Sequence, residues 1–125
     1  MKKILSVGQC NPDHSSIKTF LTREFDCEIT RIDSTEEAIE ELKRNRHDLV
    51  LVNRKLDIDY TDGTNLIQKL QSDSAFKDIP VLLISNYPEY QEEAVSIGAK
   101  YGFGKAEIGK PETIERLSKI LPKRE

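Results

Sequence analysis

The chain has 125 residues, of which 37% are hydrophobic and 33% are charged, and its formal net charge is -3. This length suits a single compact domain, and the acidic balance argues against nucleic-acid binding, which needs a basic surface. No apolar run is long enough to span a membrane, and the run that follows Met1 is too short for a signal peptide. The two cysteines suggest neither a disulfide framework nor a metal-ligand cluster, so we expect a cytoplasmic protein without membrane association.

The apolar pattern predicts five strands that alternate with five helices. The predicted strands cover residues 4–7, 28–32, 49–52, 81–84 and 100–103. Such alternation favours one parallel sheet with helices on both faces and right-handed connections. We assign residues 1–122 to this domain and expect 123–125 to be a frayed tail or the start of a linker.

Several residues mark where the helices begin and end. Asn11 is predicted to cap the first helix, with a proline in the first helical position. The segment 34–37 reads as a capping box, and Gly98 is expected to end the fourth helix. Pro111 is predicted to open the last helix, whose buried stripe would contain Ile114, Leu117, Ile120 and Leu121.

Polar or small residues follow the predicted strands, where the carboxyl ends of parallel strands share a crevice. Gly8 and Gln9 follow the first strand, Asn53 ends the third, Ser85 follows the fourth and Lys105 follows the fifth. An asparagine amide is uncharged and a poor nucleophile, so Asn53 is expected only to form hydrogen bonds.

This order of residues, together with Asp62-Gly63 and Gly98-Ala99, resembles the receiver domain of two-component response regulators of the chemotaxis-regulator type. The resemblance covers essentially the whole chain. It implies an α/β, flavodoxin-like, doubly wound sheet of five parallel strands in the order 2-1-3-4-5. It also implies a regulatory signalling domain rather than an enzyme.

The family places an acid pair at positions 8 and 9 and a phosphoacceptor aspartate at position 53, where this chain has Gly8, Gln9 and Asn53. Receiver chemistry requires a carboxylate nucleophile and Mg²⁺, which prefers anionic oxygen ligands. The sequence therefore predicts a pseudo-receiver with no catalytic, cofactor-binding or metal-binding residue and no Mg²⁺. Its function would be protein interaction that does not depend on phosphorylation.

Two of the family's residues are retained by this comparison. Ser85 occupies the position of the switch hydroxyl, and Lys105 that of the conserved lysine. We expect the Lys105 ammonium to contact the side-chain oxygen of Asn53 or nearby carbonyls. The alternative is that Ser85 only ends a strand and Lys105 is solvated.

The family's aromatic switch position falls on Gly102, and Tyr101, one residue earlier, is expected on the opposite face of the sheet. In the family, the surface of the fourth helix, fifth strand and fifth helix docks partners. We predict that it binds a histidine kinase, an output domain or a second copy of the chain, with Tyr87, Tyr90 and Tyr101 as contact residues.

Two alternative functions remain open. A displaced acceptor, Asp57 or Asp59, would preserve phosphorylation, and these residues with Asp62 would be the candidates for a displaced metal site. The same fold would also suit a small-ligand sensor that binds flavin or nucleotide at the crevice.

Four further residues have simpler interpretations. Cys10 precedes a helix, a setting in which a thiol becomes reactive, but an inert small residue is the commoner outcome. Asp13 is expected to favour the positive end of the first helix. His14 and His47 have no acid or thiol at a meaningful spacing and are predicted to be surface residues.

Overall fold

The computed structural model describes residues 1–124, which form one five-stranded parallel sheet. The strand order is β2-β1-β3-β4-β5, the flavodoxin-like order that was predicted. The strands are β1 (Lys2–Val7), β2 (Cys27–Ile32), β3 (Leu49–Asn53), β4 (Val81–Ile84) and β5 (Lys100–Phe103).

Five helices connect or follow the strands, and a short 3₁₀ turn at Lys105–Glu107 lies between β5 and the last helix. Within residues 1–124, no helix has the length and apolar character needed to cross a membrane. The helices are α1 (Asn11–Glu24), α2 (Thr35–Arg44), α3 (Thr64–Gln71), α4 (Pro88–Ser96) and α5 (Pro111–Ser118).

Two hydrophobic cores lie on opposite faces of the sheet because successive strand side chains point to opposite sides. Leu5, Val50 and Leu83 pack on the face covered by α2, α3 and α4. Ile4 and Leu51 pack on the other face, against α1 and α5. The central strand β3 is apolar on both faces, so it can only lie in the middle of the sheet.

Local signals set the helix starts, with one exception. The Ser34 hydroxyl accepts a hydrogen bond from the Glu37 N–H at 3.1 Å, which is one half of the predicted capping box, and Oε1 of Glu37 accepts from that same hydroxyl at 3.0 Å. The first helix begins at Asn11, and Cys10 is in the cap position predicted for Asn11. The Asn11 side chain accepts a hydrogen bond from Arg31 of β2, so it is not available to cap the helix.

The four residues of the predicted stripe, Ile114, Leu117, Ile120 and Leu121, all lie in or against the α1/α5 core, but the last two do so outside a helix. Helix α5 ends at Ser118, so Ile120 and Leu121 lie beyond it, although Leu121 is buried in the α1/α5 core. The Pro122 carbonyl accepts from the Asp26 N–H at 2.9 Å, and the Arg124 N–H donates to Glu24 at 3.0 Å. Glu125 lies outside the described residues.

The prediction that His47 is a surface residue without an acid partner is wrong. Its ring is buried, and Nε2 lies 2.8 Å from Oε2 of Glu41. The hydrogen bond with His47 is the main reason that the pKa of Glu41 is lowered. Helix α2 ends just before β3, which brings the two residues together, whereas His14 is half-buried on α1.

Candidate functional site

A small cleft of about 250 Å³ lies at the carboxyl edge of the sheet, between the ends of β3, β4 and β5. It exists here because β3 and β4 pair in register up to Asn53 and Ile84, so the residues that follow them meet. Asn53, Ser85 and Lys105 all line it, whereas Gly8 and Gln9 are not among its lining residues. Three of the five residues singled out from the sequence therefore share one cleft.

The Asn53 amide is held by the loop that follows it. Its Nδ2 donates a hydrogen bond of 2.7 Å to the Lys55 carbonyl. In this geometry an aspartate would place a second acceptor oxygen against that carbonyl, and the two would repel each other unless a cation lay between them. An amide satisfies the same geometry without a cation.

Position 8 is shaped for a residue without a side chain. Gly8 has a φ of +79°, which is unfavourable for residues with a Cβ. A Cβ added there would lie 2.6 Å from Cγ of Leu56, a fully buried residue of the β3–α3 loop. Leu56 fills the space that an acid at this position would need.

Gln9 is fully buried, and neither its Oε1 nor its Nε2 has a hydrogen-bond partner within residues 1–124. Its backbone carbonyl accepts from Arg31 of β2 at 3.1 Å. Buried amides without partners are unusual. This burial is not predictable from the sequence, because a glutamine after a strand is ordinarily solvated.

Lys105 does not bond to Asn53, contrary to expectation. Its Nζ lies 2.5 Å from Oδ2 of Asp13, so the lysine is bound to the first turn of α1. Partial burial acts to raise the pKa of Asp13, but hydrogen bonds from Lys105 and Cys10 together with the Lys105 charge leave that pKa lowered. The sequence suggested only a helix-end role for Asp13, and the half-buried Cys10 serves as a neighbour of this carboxylate.

Arg54 and Lys55 also line the cleft, although neither was predicted as a site residue. Both approach one carboxylate, with Arg54 Nη1 at 3.3 Å and Lys55 Nζ at 4.0 Å from Oδ2 of Asp62. The Arg54 guanidinium also lies 4.1 Å from the ring centroid of Tyr90 on α4. Their position directly after the end of β3 was the one feature of the sequence that could have pointed to them.

Asp62 also accepts hydrogen bonds from the backbone and hydroxyl of Thr64, at the start of α3. Burial acts to raise the pKa of Asp62, but the bonds from Thr64 and the charges of Arg54 and Lys55 outweigh it and lower that pKa. Asp62 is therefore tied to the loop and the helix start.

Ser85 has a local structural partner. It is buried, and its Oγ accepts from the Tyr87 N–H at 3.2 Å, which stabilises the turn into α4. Tyr87 packs edge-on against Tyr90, with ring centroids 5.8 Å apart, and both line the cleft. These two tyrosines therefore border the site, and their role in docking a partner stays a prediction.

Gln91 is a buried polar residue that was not predicted from the sequence. It is 2% exposed and connects α4 to both β4 and β5. Its Nε2 donates to the carbonyls of Leu83 at 3.0 Å and Ser85 at 3.1 Å, and its Oε1 accepts from the Gly102 N–H at 2.8 Å. A Cβ at Gly102 would lie 2.2 Å from the Leu83 carbonyl oxygen, so this arrangement excludes a side chain at the aromatic switch position.

Tyr101 contacts the α5 side of the sheet. The Arg116 guanidinium of α5 lies 4.9 Å from the centroid of its ring, and Tyr101 is 38% exposed. Gln91 of α4 meets the neighbouring Gly102. Tyr101 therefore lies away from the Ser85 side, as the strand alternation predicted.

The candidate acceptors Asp57 and Asp59 are exposed and do not line the cleft. Asp59 accepts a hydrogen bond from the Thr61 N–H at 2.9 Å, and backbone hydrogen bonding by Thr61 is the main cause of its lowered pKa. In the described part of the chain, no three histidine, cysteine or acidic residues form a group able to hold a metal ion. The cleft of about 250 Å³ is also small beside typical ligand pockets of ~300–1,000 Å³.

Residues 12–121 match the family model of the response regulator receiver domain. The chain belongs to this family. ARR20 of Arabidopsis thaliana, whose name describes a two-component response regulator, is 33% identical to this receiver domain over 103 residues. The match covers 80% of the chain but only 22% of ARR20, so the chain spans under a quarter of that relative's length.

Solved structures share the receiver fold at low sequence identity. A sensor protein from Polaromonas sp. JS666 superposes with a TM-score of 0.78 at 20% identity, covering 95% of this chain and 94% of that one. Chemotaxis protein CheY4 of Vibrio cholerae gives 0.69 at 21% identity, with coverage of 95% and 94%. NtrX of Brucella abortus gives 0.70 at 22% identity, covering 96% of this chain and 26% of NtrX.

The chain is thus a receiver domain of the two-component response regulator type, which is a regulatory rather than a typical enzymatic module. Receiver domains act through contacts with proteins such as kinases and output domains.

Proposed function

We propose that this receiver domain is a pseudo-receiver, a protein-interaction module that works without aspartyl phosphorylation and without Mg²⁺. The observation that carries the proposal is the lining of the cleft, which contains three cationic side chains and no carboxylate. Mg²⁺ is held in proteins largely through carboxylate oxygens, and a cation here would face Arg54, Lys55 and Lys105. The residues present do not fit that ion.

The surrounding backbone supports the same proposal. Gly8 is closed off by Leu56, and the Asn53 amide hydrogen bond to the Lys55 carbonyl needs no cation. The site therefore differs from a working receiver in its packing as well as in its side chains. A single substitution to aspartate would not rebuild it.

A second support is the connection of α4 to the sheet. In the family, the Ser85 position and the Gly102 position are coupled during switching. Here Gln91 fills the space between them with three buried hydrogen bonds, and Gly102 has no side chain to move. We propose that the domain has one predominant conformation, which its partner recognises.

We further propose that the partner, a histidine kinase, an output domain or a second copy of the chain, binds the surface of α4, β5 and α5. Tyr101 and Val95 are exposed there, at 38% and 43%, and Arg116 holds the Tyr101 ring in place. Tyrosine and arginine are enriched at interface centres. Sedimentation velocity on the wild type and on Tyr101→Ala tests the second-copy form, since a dimer through this surface would dissociate in the variant.

The test of the main proposal is incubation with acetyl phosphate and Mg²⁺, followed by intact-mass measurement. We expect no hydroxylamine-labile adduct and no change in melting temperature with millimolar Mg²⁺, because no carboxylate lies at the cleft. An adduct in the wild type that disappears in Asp57→Asn/Asp59→Asn would instead establish the displaced-acceptor alternative. An adduct that survives this double substitution would also contradict the proposal.

A further inference from the structure

We infer that the loop tip formed by Asp57, Ile58, Asp59 and Tyr60 docks into a groove at the opposite edge of the sheet in a second copy of the chain. This groove lies at the amino ends of β3 and β4, and we call it the amino-edge groove. The contact goes beyond the proposed function, because it involves neither the cleft nor the surface of α4, β5 and α5.

The loop tip exposes two large apolar side chains on one short segment. Ile58 is 59% exposed and Tyr60 is 76% exposed. Asp57 and Asp59 alternate with them, are exposed as well and give the tip two negative charges. Single exposed apolar residues are ordinary, whereas a pair that includes a tyrosine is typical of a contact surface.

The backbone holds the tip in one shape. The Leu56 N–H donates to the Thr61 carbonyl at 2.9 Å, the Tyr60 N–H donates to the Leu56 carbonyl at 2.8 Å, and the Asp57 N–H donates to the Gly8 carbonyl at 2.9 Å. Tyr60 has a φ of +59°, which is unfavourable for a residue with a bulky side chain. Such strain is typical of binding segments, and a tip that is already ordered loses little entropy when it binds.

The amino-edge groove has an apolar lining of a suitable size. Its volume of about 440 Å³ is within the range of ~300–1,000 Å³ that is usual for binding pockets. The apolar part of the lining is the outer side of the core under α2 and α3, and it consists of Leu42, Phe76, Ile79 and Pro80. Apolar side chains of a short loop can therefore be buried there.

The charge of the groove complements the charge of the tip. Its charged lining residues are Lys43, Arg44, Arg46, Asp48 and Asp78, which leave one positive charge in excess. Lys43 meets Glu40 of α2 at 3.6 Å, whereas the Arg46 side chain is 92% exposed. Lys2 and Lys3 line an adjoining groove that shares Arg46. Arginine forms strong paired hydrogen bonds with carboxylates, so Arg44 and Arg46 match the two aspartates of the tip.

The buried ring of His47 also lines the groove. Its Nε2 lies 2.8 Å from Oε2 of Glu41, and a carboxylate can only accept, so Nε2 carries the hydrogen and Nδ1 of the neutral ring is an acceptor. This Nδ1 has no hydrogen-bond partner within residues 1–124. Tyrosine combines an apolar ring with a hydroxyl donor, which suits an apolar lining that contains one unpaired acceptor.

The tip cannot reach the groove of its own chain. The tip follows the carboxyl end of β3, and the groove precedes the amino end of the same strand. Five strand residues span roughly 16 Å, at about 3.3 Å per residue, and the tip is bound to Gly8 at the far edge. The occupant is therefore a second copy, and because the two surfaces differ, copies add head to tail.

The experiment is sedimentation velocity over a series of protein concentrations. We expect reversible association with a dissociation constant on the order of 100 µM, as for other small, transient interfaces. Species larger than a dimer should appear at the highest concentrations, because each added copy leaves one tip and one groove free. Added sodium chloride should weaken the association, since exposed charges are screened by salt.

Two variants and their mixture test the pairing of the surfaces. The tip variant Ile58→Ser/Tyr60→Gly and the groove variant Arg44→Glu/Arg46→Glu should each be monomeric alone. An equimolar mixture should form a one-to-one complex and nothing larger, because it retains one intact groove and one intact tip. A contact between identical surfaces would not be restored by mixing.

Three controls separate loss of docking from other effects. Glycine relieves the positive φ at position 60, so the tip variant should resist urea at least as well as the wild type. Lys18→Glu/Lys110→Glu changes the net charge as much as the groove variant does, at exposed sites outside the groove, and should associate normally. Tyr101→Ala removes an exposed tyrosine from the surface of α4, β5 and α5 and should also associate normally.

Any of three results would overturn the inference: a wild type that stays monomeric at every concentration, a mixture of the two variants that does not associate, or association that Tyr101→Ala abolishes. None of them bears on the proposed function, which is tested by the covalent adduct after acetyl phosphate treatment. An adduct would reject the proposed function and leave the head-to-tail contact standing.

Discussion

At the residue scale, the backbone conformation and the packing at Gly8 both disfavour an acid at position 8. Its φ of +79° and the 2.6 Å approach of a Cβ to Leu56 impose two separate penalties on any side chain. Gly109 provides a matched comparison, because it has a φ of +85° but no atom within 4 Å of an added Cβ.

Gly8→Ala should therefore destabilise the domain more than Gly109→Ala. Both variants lose about 1–2 kcal/mol through the left-handed backbone, and Gly8→Ala should lose about 1–3 kcal/mol more through overpacking against Leu56. Urea unfolding of the two variants and the wild type measures the difference in free energy of unfolding. Equal losses would mean that Leu56 moves aside freely and that position 8 can accept an acid.

At the element scale, Gln91 determines how α4 sits on the sheet. Gln91→Leu keeps much of the volume but leaves the Gly102 N–H and the Leu83 and Ser85 carbonyls without their partner. Because each unsatisfied buried group costs about 1–3 kcal/mol, we expect a loss of at least about 2–3 kcal/mol. The Gly102 amide should also exchange with solvent faster, which hydrogen exchange measures.

The matched control is Gln68→Leu on α3, because Gln68 is an exposed helical glutamine. This substitution should change stability by no more than about 0.5 kcal/mol. A Gln91→Leu variant as stable as Gln68→Leu, with unchanged exchange at Gly102, would show that α4 does not depend on the three bonds.

The elements themselves could be predicted from the sequence because their signals are local. The apolar run of β3, the Ser34 cap and the prolines that open α4 and α5 all act within one or two turns of chain, and the sheet order followed from the family resemblance. The contacts that define the site are long-range. The pairing of Lys105 with Asp13 and the reach of Gln91 to Gly102 depend on how elements stack, which residue spacing does not encode.

At the scale of the whole molecule, the site lies at the edge of the sheet where residues from the two ends of the chain come into contact. Lys105 follows β5 near the carboxyl end, and Asp13 lies in the first turn of α1 near the amino end. Lys105 lies in the short turn that leads into α5, and Asp13 lies on α1. Their ion pair therefore connects the two helices of the α1/α5 face next to the cleft. Its effect should therefore appear in the stability of the whole domain.

The pair also makes a prediction about acid stability. The pKa of Asp13 is lowered from 3.8 in the folded state, so its contribution is present above that value and is lost as the pH falls through the folded pKa. Asp13→Asn should be less stable than the wild type at neutral pH by about 0.5–1 kcal/mol, a modest figure because both side chains are partly exposed. The difference should shrink as the pH falls below 3.8 and through the lower pKa that Asp13 has in the folded state. Urea unfolding across this range, with Lys105→Gln and the double variant completing a mutant cycle, separates the pair from other carboxylates. A difference that stays constant with pH, or a coupling of zero, would mean that the pair does not stabilise the fold.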